Sequence, residues 1–311
     1  MSKILLINID STIPNLALKK VEKYHFDKGD EVIWDMPLAK DTVDKIYVSC
    51  VFTKNKNKCE FWKEFAQIGG SGYSLDTVLP PEIDAILPRI NYGFTTRGCI
   101  RNCKFCIVPR KEGKIREVGD LLDLWDGKSR LVTVMDNNIL AMPEHFSMVC
   151  KQAREHKLKL DFNQGLDHRL LTPEIVDLMK SISHTEYRFA FDHPSYLPMV
   201  EKAIKLLKEN GINRCNWYVI VGFDTTPEED LMRLNYLRDE GQRAYVQRYE
   251  THYNEPFYVG LARWVNQPHL FVGMTWNEFL NYPRPDHQRL RKQMEETGVI
   301  IALDKPFLDS V

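Results

Sequence analysis

Three cysteines lie close together in the segment TTRGCIRNCKFC, which runs from residue 95 to residue 106. Cys99, Cys103 and Cys106 follow the spacing C-x3-C-x2-C and come directly after a predicted strand, Tyr92–Thr96. Cysteine thiolates are the ligands of iron–sulfur clusters. A loop of this span can bind three corners of a 4Fe–4S cluster. The fourth iron would then stay open to a substrate or cofactor.

Two other interpretations of the three cysteines remain open. A structural zinc site needs four closed ligands, so a histidine or a distant cysteine would have to supply the fourth. The other alternative is that the three residues are ordinary thiols that bind no metal. A non-catalytic iron–sulfur or zinc binding module is therefore the alternative to an enzyme.

The cysteine segment resembles the signature of the radical S-adenosylmethionine (SAM) superfamily, in which an aromatic residue precedes the last cysteine, as Phe105 does here. The stretch from Arg97 to Pro109 looks most like cobalamin-type and methylthiotransferase-type members. The resemblance implies that SAM chelates the open iron. It also implies reductive cleavage of SAM to methionine and a 5′-deoxyadenosyl radical, which abstracts hydrogen from a substrate that the sequence does not identify. An electron donor such as flavodoxin or ferredoxin is implied as well.

The same resemblance assigns SAM contacts to residues at the ends of later strands. Where the family often has Gly-Gly-Glu for the SAM amino group, this chain has Asp136-Asn137-Asn138. Gln164 and Asp192 follow the next strands and are expected beside the ribose or carboxylate of SAM. Val221 and Gly222, together with Phe105, are expected beside the adenine. An ordinary turn or a helix cap is the alternative role for the Asp136 and Asp192 positions.

Strand and helix patterns alternate along the whole sequence, beginning with the largely apolar strand predicted at Lys3–Ile9, and predict an α/β fold. Two predicted helices open with a capping threonine before a proline, at Thr172-Pro173 and Thr226-Pro227. Residues 1–88 are predicted to form a small Rossmann-like α/β domain, with Pro80-Pro81 and Pro88 near its end. Residues 89–255 contain six predicted βα units and, with the family resemblance, indicate a partial (β/α)6 TIM-type barrel. Its functional face is expected where strands run into helices. Residues 256–311 are assigned to a C-terminal accessory segment.

The N-terminal unit looks like a degenerate version of the cobalamin-binding domain that precedes some radical SAM barrels. In the family, the loop after the first strand reads D-x-H-x-x-G, whereas here Asp10-Ser11-Thr12-Ile13-Pro14 has neither the histidine nor the glycine. Cobalamin is thus the less favoured cofactor. A cobalamin-dependent radical SAM methyltransferase is retained as an alternative function.

Charge and composition limit the kinds of partner and the cellular location that we expect for this protein. With 42 basic and 43 acidic residues, the formal net charge is −1, so charge does not indicate nucleic acid as a partner. No apolar run approaches the roughly 20 residues of a membrane span. The N-terminus lacks the pattern of a secretory signal, and the seven cysteines include a clustered triad that favours metal or redox chemistry over disulfides. We therefore expect a cytoplasmic protein with no membrane partner.

Overall fold

The computed structural model describes residues 1–298, which contain alternating strands and helices. The strands are β1 (Lys3–Asn8), β2 (Glu31–Trp34), β3 (Lys45–Ser49), β4 (Gln67–Gly69), β5 (Tyr92–Gly93), β6 (Thr96–Arg97), β7 (Arg116–Glu117), β8 (Leu131–Val134), β9 (Lys159–Phe162), β10 (Ser183–His184), β11 (Arg188–Ala190), β12 (Asn216–Val221) and β13 (Arg243–Arg248). The α-helices are α1 (Leu16–Asp27), α2 (Pro81–Asp84), α3 (Val108–Lys111), α4 (Leu121–Leu124), α5 (Pro143–Glu155), α6 (Pro173–Lys180), α7 (Leu197–Glu209), α8 (Pro227–Asp239), α9 (Pro256–Val265), α10 (Pro268–Gly273), α11 (Trp276–Asn281) and α12 (Pro285–Glu296). Short 3-10 helices cover Pro37–Thr42, Thr53–Trp62, Ile139–Ala141, His168–Leu170, Pro194–Tyr196 and Glu250–His252.

The chain divides into two compact units. The first comprises Met1–Ile139 and Ser147–Leu160, and the second comprises Leu140–Phe146 and the described residues from Asp161 onward. The predicted domain boundaries after residues 88 and 255 stay predictions. Residues 299–311 of the predicted accessory segment lie outside the described residues. Within the described part, no helix has the length and apolar character that a membrane crossing requires.

The first unit opens with a four-stranded sheet in the order β2-β1-β3-β4. All three pairings are parallel, which agrees with the α/β fold predicted from the sequence. The central strand β1 is covered on both faces, because Ile4 and Leu6 pack with Leu18 of α1 on one side, while Leu5 and Ile7 pack on the other. Burial on both faces explains why this strand reads as a continuous apolar run.

The predicted strand Tyr92–Thr96 is not continuous, which corrects the sequence analysis. β5 pairs in parallel with β8, whereas β6 pairs with β7 in the antiparallel direction. The chain leaves the parallel sheet after β5 because Thr95 turns its backbone N–H and hydroxyl toward Asp136. The residues between β6 and β7 form the loop that carries the three cysteines, and we call residues 98–115 the cysteine loop.

The second unit contains the parallel sheet β11-β12-β13. Its helices begin at the caps expected from the sequence: Thr172 accepts from Ile175 N, and Thr226 forms a capping box with Glu229. The edge strand β13 is covered by Asn266, whose side chain bonds to both the N–H and the carbonyl of Val246 at 2.7 and 3.1 Å. The described part of the predicted accessory segment is helical. The parallel α/β fold is thus present in both units, while closure of the strands into a barrel is not shown.

A buried ion pair fixes the carboxyl ends of β11 and β12. Arg233 and Asp230 on α8 are fully buried and contact each other. Arg233 also donates to the carbonyls of Phe191 and Ile220, and Asp230 accepts from the backbone N–H of Gly222 at 2.8 Å. Burial raises the pKa of Asp230, although Arg233 and hydrogen bonds from Thr225 and Gly222 oppose that shift.

Replacing Arg233 by leucine should lower the free energy of unfolding by about 3–5 kcal/mol, because the variant leaves the Asp230 carboxylate buried without its cation. The matched control is Arg238→Ala on the same helix, where the partner Asp239 is largely exposed; it should change stability by at most about 0.5 kcal/mol. Denaturant unfolding of both variants measures the difference. Equal losses would show that the buried pair has no special role.

Candidate iron–sulfur centre

The cysteine loop is closed at its base by the antiparallel pair β6 and β7. Thr96 lies opposite Glu117, and Arg97 lies opposite Arg116. Inside this pair, the backbone N–H of Cys99 donates to the carbonyl of Gly113 at 3.2 Å. Hydrogen bonds thus close the base of the loop. All three cysteines lie in the loop between β6 and β7.

Gly98 permits the close approach at this base. Its φ of +88° lies in the left-handed region, and a Cβ there would come within 2.4 Å of the carbonyl oxygen of Lys114. Side chains other than glycine rarely adopt such a φ. The glycine before Cys99 is therefore required by both the backbone conformation and the available space.

Arg97, the residue just before the loop, forms ion pairs with the loop and with α2. Arg97 lies 2.8 Å from Glu112 within the loop and 3.2 Å from Asp84 of α2. Asp84 also pairs with Lys20 of α1 at 2.8 Å. Lys20 and Arg97 together hold the pKa of Asp84 below its ordinary value, although burial opposes them. The start of the cysteine loop is therefore tied to the first helix of the unit.

The turn after β8 contacts the cysteine loop through three consecutive residues, and we call Asp136-Asn137-Asn138 the DNN turn. Asp136 accepts from the N–H and hydroxyl of Thr95, both at 2.6 Å, and from the hydroxyl of Thr96 at 2.9 Å. Asn137 Oδ1 accepts from Gly98 N at 3.0 Å. Asn138 Nδ2 donates to Cys99 Sγ at 3.4 Å. Each residue of the turn therefore binds a successive part of the chain entering the loop.

Hydrogen bonds from Thr95 and Thr96 occupy the acceptor sites of the Asp136 carboxylate. It is buried, and burial raises its pKa while hydrogen bonds from Thr95 and Thr96, including the Thr96 backbone N–H, act in the opposite direction. A carboxylate offers about four lone-pair sites. The predicted contact of Asp136 with the SAM amino group is untested, and the structure gives this residue a role in loop geometry that the sequence did not indicate.

The seven cysteines differ in their surroundings. Cys99, Cys103 and Cys106 are partly exposed, whereas Cys50, Cys59, Cys150 and Cys215 are buried. Burial raises the pKa of Cys150 and of Cys215 to about 12, so both thiols stay protonated at neutral pH. Since the thiolate is the metal ligand, the loop cysteines are the better ligand candidates.

The donor set is compatible with a 4Fe–4S cluster. Three thiols share one loop, and Cys99 Sγ accepts hydrogen bonds from Arg101 N at 3.3 Å and from Asn138; bonds of this kind are typical of cluster sulfurs. Within residues 1–298, no group of three or more His, Cys, Asp or Glu side chains is arranged to hold a metal ion. A cluster has a different requirement from a single ion, because its thiolates bind separate irons.

Of the remaining predicted SAM contacts, Phe105 lies in the cysteine loop of the first unit, and the others lie in the second unit. Asp192 follows β11 and accepts from Ile220 N of the neighbouring strand at 3.1 Å; burial is the main cause that raises its pKa. Val221 ends β12 and is buried, and Gly222 follows it with a φ of +75°. The structure thus brings Asp192, Val221 and Gly222 to adjacent strand ends, while Gln164 is exposed in the turn after β9.

Sequence reasoning missed several features around these positions. His252 Nδ1 lies 2.6 Å from Glu255 Oε1 after β13, and a Cβ at Gly222 would come within 3.2 Å of His252. The spacing of three residues between His252 and Glu255 was the available signal. The β6–β7 pair was also missed, although Gly113 within the polar stretch KEGK is typical of a turn.

Comparisons with known proteins do not assign this chain to a family. No protein-family model matches it, and no curated protein matches it. Among solved structures, it is similar to the NAD-complexed form of a D-isomer specific 2-hydroxyacid dehydrogenase from Lactobacillus delbrueckii ssp. bulgaricus, with 11% identity over 95% of each chain and a TM-score of 0.22. A likeness this weak carries no argument about fold or function.

Gly98→Ala should destabilise the first unit more than Gly113→Ala. Both glycines have positive φ, so each alanine adds strain of about 1–2 kcal/mol. Only at Gly98 does the new Cβ also collide with backbone; at Gly113 nothing lies within 4 Å. Denaturant unfolding, with limited proteolysis of the cysteine loop, compares the two variants. Equal stability and equal cleavage would contradict the packing described at the loop base.

Proposed function

We propose that this chain is a radical SAM enzyme acting on an unidentified substrate. The observation that carries the proposal is the DNN turn, which binds the start of a loop holding three partly exposed cysteines. Such support goes beyond what a surface loop with ordinary thiols needs. It holds Cys99 in a fixed orientation, as a cluster ligand requires.

Cys99, Cys103 and Cys106 would hold a 4Fe–4S cluster, which with SAM supplies reductive cleavage to a 5′-deoxyadenosyl radical. The protein's own part is to bind, orient and exclude water. Asp136 orients the DNN turn by accepting from Thr95 and Thr96. Asn137 and Asn138 share that turn and offer amide oxygens, so we propose them as acceptors for the SAM amino group.

Five further residues belong to the proposal. Phe105 is assigned to the adenine on the family resemblance, together with Val221 and Gly222. Gln164 and Asp192 are assigned to the ribose or carboxylate. The exposed amide of Gln164 supports a hydrogen-bonding role for that residue. At Gly222, the absence of a side chain and the positive φ are the features that support a close backbone approach.

A partial (β/α)6 barrel is the proposed arrangement of the later strands. The support is the parallel pairing of β5 with β8 and of β11, β12 and β13, each followed by a helix or turn. Polar residues gather at strand ends, where barrel enzymes place their sites. An electron donor of the flavodoxin or ferredoxin type is the proposed partner.

The proposal is tested by anaerobic reconstitution with iron, sulfide, a reductant and SAM. Wild-type protein should retain about one 4Fe–4S cluster and release 5′-deoxyadenosine. Changing Cys99, Cys103 or Cys106 to alanine should abolish that release, because each variant removes one ligand. Cys150→Ala and Cys215→Ala are the matched controls and should retain the cluster and the activity.

Three outcomes would count against this function. Deoxyadenosine release by a variant lacking all three loop cysteines would remove them from the chemistry. Binding of one tetrahedral zinc with no iron–sulfur cluster would favour the non-catalytic module. Stoichiometric retention of added hydroxocobalamin, seen in the absorbance spectrum, would promote the cobalamin-dependent methyltransferase.

A further inference from the structure

Cys99 is distinguished by the two nitrogen donors at its sulfur. Arg101 supplies a backbone N–H at 3.3 Å, and Asn138 supplies a side-chain N–H at 3.4 Å. The first donor belongs to the cysteine loop itself. The second belongs to the DNN turn, 39 residues further along the chain in the first unit.

The position of Asn138 is set by contacts within the first unit. The residue is buried and directly follows two residues that are themselves bound to the loop. Asp136 holds Thr95 and Thr96, and Asn137 holds the N–H of Gly98. Because Gly98 adjoins Cys99, the amide donor and the sulfur are held by the same set of contacts.

We propose that Asn138 is a positioning residue that raises the reduction potential of the cluster through its N–H bond to Cys99. This inference rests on the proposed function. Reduction adds one electron, taken from a low-potential one-electron donor, and no covalent bond forms or breaks. The added negative charge is shared with the ligand sulfurs. A donor aimed at one of them favours the reduced state, and such hydrogen bonds are among the factors that set cluster potentials.

Burial strengthens the effect. Around a buried donor the effective dielectric constant is lower than in water, so the same N–H dipole acts more strongly on a nearby charge. Hydrogen bonds to ionised acceptors are also roughly twice as strong as neutral ones. Asn138 therefore suits a role in easing electron entry at the cysteine loop.

The test is a potentiometric titration of reconstituted protein without SAM, followed by EPR. Dithionite is the reductant. Asn138→Leu keeps a similar side-chain size and removes the donor. Its midpoint potential should fall, so that at a fixed potential the ratio of reduced to oxidised cluster drops about tenfold, a shift of 59 mV for one electron. Asn138→Asp should shift the potential further, because it also adds negative charge.

Gly113→Ala is the control. It strains the backbone of the cysteine loop, where nothing lies within 4 Å of the added Cβ, and it leaves the DNN turn and the donor to Cys99 Sγ in place. It should lower stability while leaving the potential at the wild-type value. A merely structural role for Asn138 would instead move the potential equally in the Gly113 and Asn138 variants.

The outcomes separate this inference from the proposed function. Failure of wild-type protein to take up a 4Fe–4S cluster overturns both. A normal cluster with an unchanged potential in Asn138→Leu overturns the inference alone. Loss of the cluster from both folded Asn138 variants also overturns it, because Asn138 would then be needed for assembly and not for tuning.

Discussion

The geometry of the cysteine loop depends on the buried carboxylate of Asp136. It accepts from Thr95 and Thr96 where the chain enters β6, and so diverts the backbone from the parallel sheet into the antiparallel base of the loop. A buried carboxylate without donors would be costly. The carboxylate therefore needs the Thr95 and Thr96 donors, and those donors reach it only because the chain turns away from the parallel sheet there. Asn137 and Asn138 follow in sequence, which places their amides at Gly98 and Cys99.

In the second unit, buried charged side chains also bond to backbone groups at strand ends. Asp230 accepts from Gly222 N, and Arg233 donates to the carbonyl of Phe191, just after β11, and to that of Ile220, near the end of β12. In both units, a buried charged side chain satisfies backbone groups where the sheet stops. Such contacts leave the strand ends rigid, which is a condition for precise placement of reactive groups. They also explain why carboxylates at strand ends need not contact a ligand.

Sequence patterns predicted much of the secondary structure because these patterns are local. The apolar run of β1 and the Thr-Pro caps of α6 and α8 each depend on only a few neighbouring residues. The cysteine spacing identified a candidate site for the same reason. The break between β5 and β6 was not predictable, because its cause lies in Asp136, some forty residues away. The contact of Glu112 with Arg97 was likewise set by folding of the loop. The predicted SAM contacts and the barrel depend on long-range geometry of this kind, and they stay predictions.

The central claim is that the cysteine loop holds a cluster with one iron open to SAM. The most direct measurement is the EPR spectrum of the reduced, reconstituted protein before and after SAM is added. The account predicts a 4Fe–4S signal that changes when SAM is added. The signal should not change when the same concentration of adenosine is added, because adenosine lacks the amino and carboxylate groups that would bind the open iron. A cluster signal in the wild-type protein that is identical with and without SAM would contradict it.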